Sequence, residues 1–315
     1  MFFSAFHVLV LSVAIAILYE PTNSGNHFEN ESLVSTRSQR VLLVTAHPDD
    51  ECLFFAPTIK GLTKSWRMDT SNDNKIGQNH ENELFSLCLS VGDADGLGHI
   101  RKEEYEKSLD VMGIKDTNRI ALDDPNLRDS MELTWDIDYI ADVVAEFVIV
   151  HNITTVLSFD QGGVSDHPNH KIIPYGIQRM LYAYPVHPPP KFYVLITVPL
   201  SIKYVGILAP LVAKFDLYTI NVLHSAEDYF AWFLKCFGYT STTASPQGAK
   251  QNPEEALPVF VAGISDYFAA LKAMCEHWSQ LVWFRWLNVM FSRYMWVNEW
   301  AEVTLQATPN SYATP

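Results

Sequence analysis

Apolar and polar residues run along this chain in blocks whose lengths separate several kinds of element. The first nineteen residues, MFFSAFHVLVLSVAIAILY, carry no Asp, Glu, Lys or Arg. At 1.5 Å per helical residue they reach about 28 Å, close to the thickness of a bilayer's hydrocarbon core. They predict a transmembrane helix over 1–20. A retained anchor fits better than a cleaved signal peptide, because a basic leading region is lacking and the run exceeds the usual apolar stretch of roughly 7–15 residues. A polar linker over 21–40 follows. The all-apolar run Val41-Leu42-Leu43-Val44 then has the character of a strand buried on both faces of a parallel sheet, and 84–91 and 154–159 repeat it. Between them, at 101–112 and 135–150, apolar residues recur at three- and four-residue intervals and predict helices. Runs at 192–198 and 218–222 predict further strands and 200–215 a helix, with Pro199 and Pro210 blurring the boundaries. Strand and helix alternate, so the expected fold is α/β: a Rossmann-like, mostly parallel sheet flanked by helices, behind an N-terminal transmembrane helix. Segments 65–83, rich in Asn, Asp and Ser, and 238–258, rich in Thr, Ser, Gly and Pro, predict surface-loop insertions. One large domain over 41–300 and a tail over 301–315 complete the organisation, since 315 residues suit one such domain better than two.

Composition narrows the function classes. With 48% hydrophobic and 18% charged residues the chain is far from the profile of disorder. A formal net charge of −14 leaves no basic surface to neutralise phosphates, which argues against a nucleic-acid partner and against adhesion to anionic lipid by bulk charge. Cys52, Cys88, Cys236 and Cys275 are scattered without a CxxC pair and read as ordinary thiols of a reducing compartment.

Polar chemistry is concentrated at two strand ends. The first strand runs into His47-Pro48-Asp49-Asp50-Glu51, with Pro48 suited to the first position of a helix and the acidic residues to its first turn. His47 and Asp50, three apart, can converge on one point while Asp49 stays free. The alternative is a capped helix start with solvated carboxylates. The strand at 154–159 leads likewise into Asp160-Gln161-Gly162-Gly163-Val164-Ser165-Asp166-His167-Pro168-Asn169-His170. Open α/β sheets bind ligands at this carboxyl edge, and two histidines mirroring a histidine and carboxylates point to a metal. Two imidazoles and one carboxylate leave a position open for water, as catalytic zinc requires, and zinc there would lower the water's pKa and polarise a carbonyl. A free carboxylate beside it can accept a proton and a further histidine can stabilise an oxyanion, an inventory that fits amide hydrolysis. The same ligand types also form the facial triad of non-haem iron oxygenases, although a spare Asp49 and an alternating α/β pattern count against that reading. A metal-binding subunit without turnover is the third possibility, and it would have no need of both Asp49 and His167.

These motifs, with FFAP at 54–57 and HWSQLVWFRWLNVMFSRYM at 277–295, resemble the PIG-L branch of the PIG-L/LmbE-like deacetylase superfamily over roughly 41–297, apart from the two insertions. The resemblance implies a zinc-dependent deacetylase acting on N-acetylglucosaminyl-phosphatidylinositol, a membrane glycolipid of GPI-anchor biosynthesis, with a non-catalytic glycolipid-binding membrane subunit as the alternative. It implies that His47, Asp50 and His170 bind zinc, that Asp49 is the general base and then the acid to the leaving amine, and that His167 faces the oxyanion. Bacterial members commonly have Asp where this chain has Asn169, which can hydrogen-bond but supplies no negative charge. Another matching patch, SVGDADGLGHIR at 90–101, places Arg101 at a helix start, where it meets substrate or forms a surface pair with Glu104. The aromatic stretch 278–300, with a polar stripe through Arg285, Asn288 and Ser292, reads either as a core helix or as an interfacial one whose Arg285 or Arg293 meets headgroups.

Topology signals conflict. Asn30-Glu31-Ser32 and Asn152-Ile153-Thr154 satisfy the glycosylation sequon. Against a lumenal domain stand Arg37 and Arg40 on the C-terminal flank of the anchor, none before it, and the unpaired cysteines. The resemblance implies the same orientation. The expectation is a single-pass protein of the endoplasmic reticulum membrane with its catalytic domain facing the cytoplasm.

Overall fold

The computed structural model describes residues 39–72, 82–184, 188–211 and 259–304. In chain order the elements are β1 (Arg40–Thr45), α1 (Asp50–Leu53), α2 (Ala56–Asn72), β2 (Glu83–Cys88), α3 (Gly98–Met112), β3 (Arg119–Ala121), α4 (Ile137–Val150), β4 (Thr155–Phe159), α5 (Gly163–Asp166), α6 (Pro168–Ala183), β5 (Lys191–Leu195), α7 (Leu200–Lys203), β6 (Val259–Val261), α8 (Ile264–Glu276), α9 (Trp283–Phe291) and β7 (Val297–Glu302). The seven strands form a sheet of order β3-β2-β1-β4-β5-β7-β6. The pairs linking β3, β2, β1, β4 and β5 are all parallel, while β7 runs antiparallel to β5 and β6. The mostly parallel sheet flanked by helices is therefore as the apolar runs require: β4 is buried at every position, and β1 and β2 at all but their first.

The order positions the site. From β1 the chain steps to β2 and β3 on one side, then returns through α4 to β4 on the other side of β1. The carboxyl ends of β1 and β4 thus flank the point where the winding reverses, the usual ligand crevice of open α/β sheets. Helices α4 and α6 pack on each other, α6 also lying on β1 and β4, while α2, α3 and α8 form a second packed group.

Several expected boundaries move. Segment 65–83 is not all loop: α2 continues to Asn72, because Leu62 and Trp66 keep one face against the core although the outer face is polar, and Glu83 already belongs to β2. Of the helix expected over 200–215, the described residues show a single turn, α7, a 3₁₀ turn at Gly206–Leu208 and helical residues again from Ala209 to Leu211, while 212–215 lie outside them. Most notably, 278–300 is not one helix. A 3₁₀ turn at Trp278–Gln280, α9, a second 3₁₀ turn at Arg293–Met295 and β7 divide it. The break is tertiary in origin. Asn298 is fully buried, where its side chain bonds the Phe54 carbonyl and the Thr58 backbone and hydroxyl, and β7 joins β5 to β6. Since β7 ends at Glu302, the domain extends two residues into the expected tail. Among the described residues no helix is long and apolar enough to cross a membrane. The anchor at 1–20, the linker to residue 38, the strand at 218–222, the insertion at 238–258 and Cys236 lie outside the described residues.

Candidate active site

Both motif loops reach one pocket of about 840 Å³ whose lining includes His47, Asp49, Asp50, Arg101, His167 and His170. The loop after β1 turns sharply. Pro48 stands in the turn, so the helix begins two residues later than Pro48 suggested, at Asp50. Asp49, the residue before α1, has φ 103°, a left-handed conformation disfavoured for a side chain and of the kind found where a site constrains the backbone. Asp50 anchors the turn: its Oδ2 accepts the backbone N–H groups of Ala46 at 3.0 Å and His47 at 2.9 Å, which leaves Oδ1 free to face His170 Nε2 at 3.4 Å.

The loop after β4 is tied down by Asp160, whose Oδ1 accepts the N–H groups of Gly162 and Gly163 while its Oδ2 accepts that of Thr197. Pro168 opens α6 as expected, and His167 caps that helix by accepting the Asn169 N–H on Nδ1. His170 Nδ1 lies 3.0 Å from the Gly163 carbonyl and can donate to it. That bond selects the tautomer whose Nε2 lone pair points at Asp50, the outer-partner arrangement typical of a metal-ligating histidine. Phe159 stacks on the His170 ring at 4.2 Å and 11°.

His47, His167 and His170 form a cluster with candidate ligand atoms within 4.8 Å of one another, and Asp50 closes it from below. Burial, reinforced by the His47 and His167 charges, pushes the His170 pKa well below the usual histidine range; burial and His47 lower that of His167. Neutral imidazoles are what a metal requires. Burial raises the Asp50 carboxyl to about 7, although His47 opposes the shift. The donor set of imidazole nitrogens and a carboxylate held by backbone amides fits a zinc ion. His47, Asp50 and His170 are nearly inaccessible, whereas the His167 side chain is 20% exposed toward the pocket.

Sequence reasoning missed Asp129. It lies on the loop after β3, its Oδ1 3.2 Å from His47 Nε2 and 3.7 Å from His167 Nε2, its Oδ2 3.4 Å from Arg101. Burial acts to raise its pKa, but the hydrogen bond from His47 and the charges of His47, Arg101 and His167 hold it down at about 2. The only signal was the acidic cluster at 123–129, which follows a strand too short to predict. Arg101 does not pair with Glu104. It donates to the carbonyls of Gly92 at 2.6 Å and Pro48 at 3.1 Å and to Gln280 at 2.8 Å. Gly92, at φ +71°, permits this approach; a Cβ there would lie 2.4 Å from the guanidinium.

Two more unforeseen contacts surround Asp49. Arg285 reaches its Oδ2 at 2.8 Å, so this arginine points into the pocket and not toward headgroups. Arg293 is buried and paired with Glu299, which removes it from any headgroup contact as well. Behind the pocket, Glu51 accepts the Asp49 N–H at 3.0 Å and bonds His277 Nε2 at 2.6 Å, both side chains fully buried, with Ser108 also donating to Glu51. His277 and Gln280 extend this chain of contacts to Arg101. Cys52 and Cys88 are free and buried and Cys275 is free and exposed.

The model of the family described as "PIG-L: GlcNAc-PI de-N-acetylase" matches residues 42–181. A protein of Arthroderma benhamiae named N-acetylglucosaminyl-phosphatidylinositol de-N-acetylase is 32% identical over 83% of this chain and 86% of its own length. The chain belongs to this family. A Bos taurus protein of the same name is 31% identical, covering 82% of this chain and 81% of its own. Among solved structures, a pseudoaglycone deacetylase superposes with a TM-score of 0.50 at 11% identity, over 86% of this chain and 99% of that one, a likeness of fold alone. In this PIG-L family chain the span matched by the family model contains His47, Asp49, Asp50, Arg101, Asp129, His167 and His170, while α9 on the pocket rim lies beyond it.

Proposed function

We propose that the chain hydrolyses the acetamide of N-acetylglucosaminyl-phosphatidylinositol, consuming water and yielding acetate and glucosaminyl-phosphatidylinositol, in GPI-anchor biosynthesis. The family membership supports the substrate. The observation that carries the chemistry is the convergence of Asp49 with the buried His47, Asp50 and His170 at the floor of one open pocket.

His47, Asp50 and His170 would hold a zinc ion, which when bound would supply Lewis acidity to the carbonyl and lower the pKa of a water towards about 7. Asp49 accepts the proton lost by the attacking water and returns it to the amine as the C–N bond breaks. Its carboxylate is held for this by the Arg285 ion pair and by the Glu51 grip on its backbone N–H. His167, the more exposed of the three histidines, hydrogen-bonds the oxyanion. Arg101 positions substrate by fixing Asp129, the Gly92 loop and the Pro48 turn, since both its terminal nitrogens are already engaged by these and by Gln280. Residues 1–20 tether the chain to the endoplasmic reticulum membrane with the catalytic domain in the cytoplasm.

Acetate release from the glycolipid by purified protein, abolished by a chelator and restored by zinc, is the deciding assay. Turnover that survives complete metal removal would refute the mechanism. For topology, protease added to intact microsomes is expected to digest the domain, with no glycan on Asn30 or Asn152; a glycosidase-sensitive mass shift would reverse the orientation.

A further inference from the structure

Helix α9 is amphipathic in the inverted sense. Its polar stripe turns inward: Arg285 reaches Asp49, Asn288 lines the pocket, and Ser292, just beyond the helix, is fully buried. Its apolar face turns outward. Trp283 is 75% exposed, Trp286 and Met290 are exposed with it, and Trp278 in the preceding turn is 79% exposed. A surface helix facing water has the opposite arrangement, and a contiguous exposed apolar face marks an interaction site. The helix is firmly held in this orientation. Val289 is buried, its carbonyl accepts the Tyr267 hydroxyl at 3.4 Å, and Gly206, at φ +51°, sits so close beneath that a Cβ would lie 2.8 Å from the Met290 carbonyl.

The place of this face limits what can cover it. Phe284, Leu287 and Phe291 of the same helix line the pocket, together with Met131 and Tyr204. A protein seated on α9 would obstruct the pocket mouth, whereas a bilayer can cover the same face and also deliver a lipid-linked sugar from its own plane. The net charge of −14 works against electrostatic adhesion, so the attachment must be apolar. We propose that α9 is an interfacial helix, whose Trp278, Trp283, Trp286 and Met290 embed in the headgroup–acyl boundary of a lipid bilayer and hold the pocket mouth against it. Tryptophan settles at that depth, and helices of this kind bury their apolar face by about 5–10 Å. The glycolipid headgroup then enters the pocket while its acyl chains remain in the bilayer. The choice of a bilayer rests on the glycolipid reading of the pocket.

Photo-crosslinking of the full-length protein tests it without requiring turnover. With benzoylphenylalanine in place of Trp283, irradiation in phosphatidylcholine vesicles is expected to give a lipid adduct as the major product. A crosslink to residues 212–258, to a second copy or to another protein in place of lipid overturns the proposal. In a parallel arm, Trp278→Glu combined with Trp283→Glu is expected to lower turnover of vesicle-borne glycolipid by about tenfold or more, the scale set by burying large aromatic side chains. The same variant is expected to leave turnover of a water-soluble acetylglucosaminyl-inositol phosphate without acyl chains unchanged. Unchanged turnover of the vesicle substrate, or equal loss on both substrates, contradicts α9 docking. Wild-type protein that hydrolyses neither substrate refutes the proposed function, and the photo-adduct still decides the docking.

Discussion

The floor and the rim of the pocket depart from the ordinary partition of residues in opposite directions. At the floor Asp49, Asp50, Asn169 and His170 are polar and buried; at the rim Trp283, Leu287 and Met290 are apolar and exposed. The floor tolerates buried polar groups because most have named partners: Asp50 two backbone amides, Asp49 the Arg285 guanidinium, His170 the Gly163 carbonyl. On the outward face of the rim Trp283 meets the Phe284 ring edge-on, and among the described residues no hydrogen bond holds the side chains of Trp283, Leu287 or Met290. Substitutions should therefore damage the two regions in different currencies, chemistry and folding at the floor, membrane encounter at the rim.

The largest effect is expected for Asp49→Asn, with a loss in kcat on the order of 10² to 10⁴, since an amide cannot accept the proton. Asparagine is at ease at positive φ, so fold and zinc content are expected to be retained; near-normal turnover at full metal occupancy would remove Asp49 as the base. His170→Ala is expected to weaken zinc binding by more than the about 10- to 100-fold cost of losing an outer-shell partner, read by competition with a chelating dye. Unchanged zinc affinity would show that the ion, if bound, sits elsewhere.

Glu51→Gln breaks the fully buried pair with His277 and should cost about 3–5 kcal/mol in denaturant unfolding. The pH dependence follows from the two shifts. Burial acts to raise the Glu51 pKa, but His277 and the hydrogen bonds leave it below its ordinary 4.5; this contribution is present above pH 4.5 and is lost as pH falls through the depressed value. Burial acts to lower the His277 pKa, but Glu51 leaves it above its ordinary 6.5; its contribution is present below pH 6.5 and is lost as pH rises through the raised value. The pair stabilises fully between pH 4.5 and 6.5, and the variant should flatten both limbs of the stability profile. The smallest effect belongs to the rim. Trp283→Ala is expected to change unfolding stability by no more than about 0.5 kcal/mol, as usual for exposed positions. A loss of several times that would mean the outward face packs against the protein itself.

Much of the floor was legible because its residues are local in sequence. His47, Asp49 and Asp50 share one turn, His167 and His170 share the start of another helix, and all-apolar runs before them read directly as buried strands. Asp129 was not legible: it belongs to no comparable motif, it follows the three-residue strand β3, and only the folding of that strand onto β2 carries its loop to His47. Glu51 was visible only as part of a polar run; its partner His277 is 226 residues distant.

By itself the sequence determined the alternating α/β pattern and the two strand-end motifs, properties of residues close in the chain and read from period and spacing, and its quoted motifs carried the family resemblance. Tertiary structure decided what long-range packing alone can decide. Completing the sheet with β7 broke the aromatic stretch at 278–300 into turns, a helix and a strand. Docking of α9 beside Asp49 set which side of that helix faces inward, so that Arg285 meets a carboxylate and the tryptophans meet the outside. Periodicity shows that a helix has two faces, but its environment determines which one is buried.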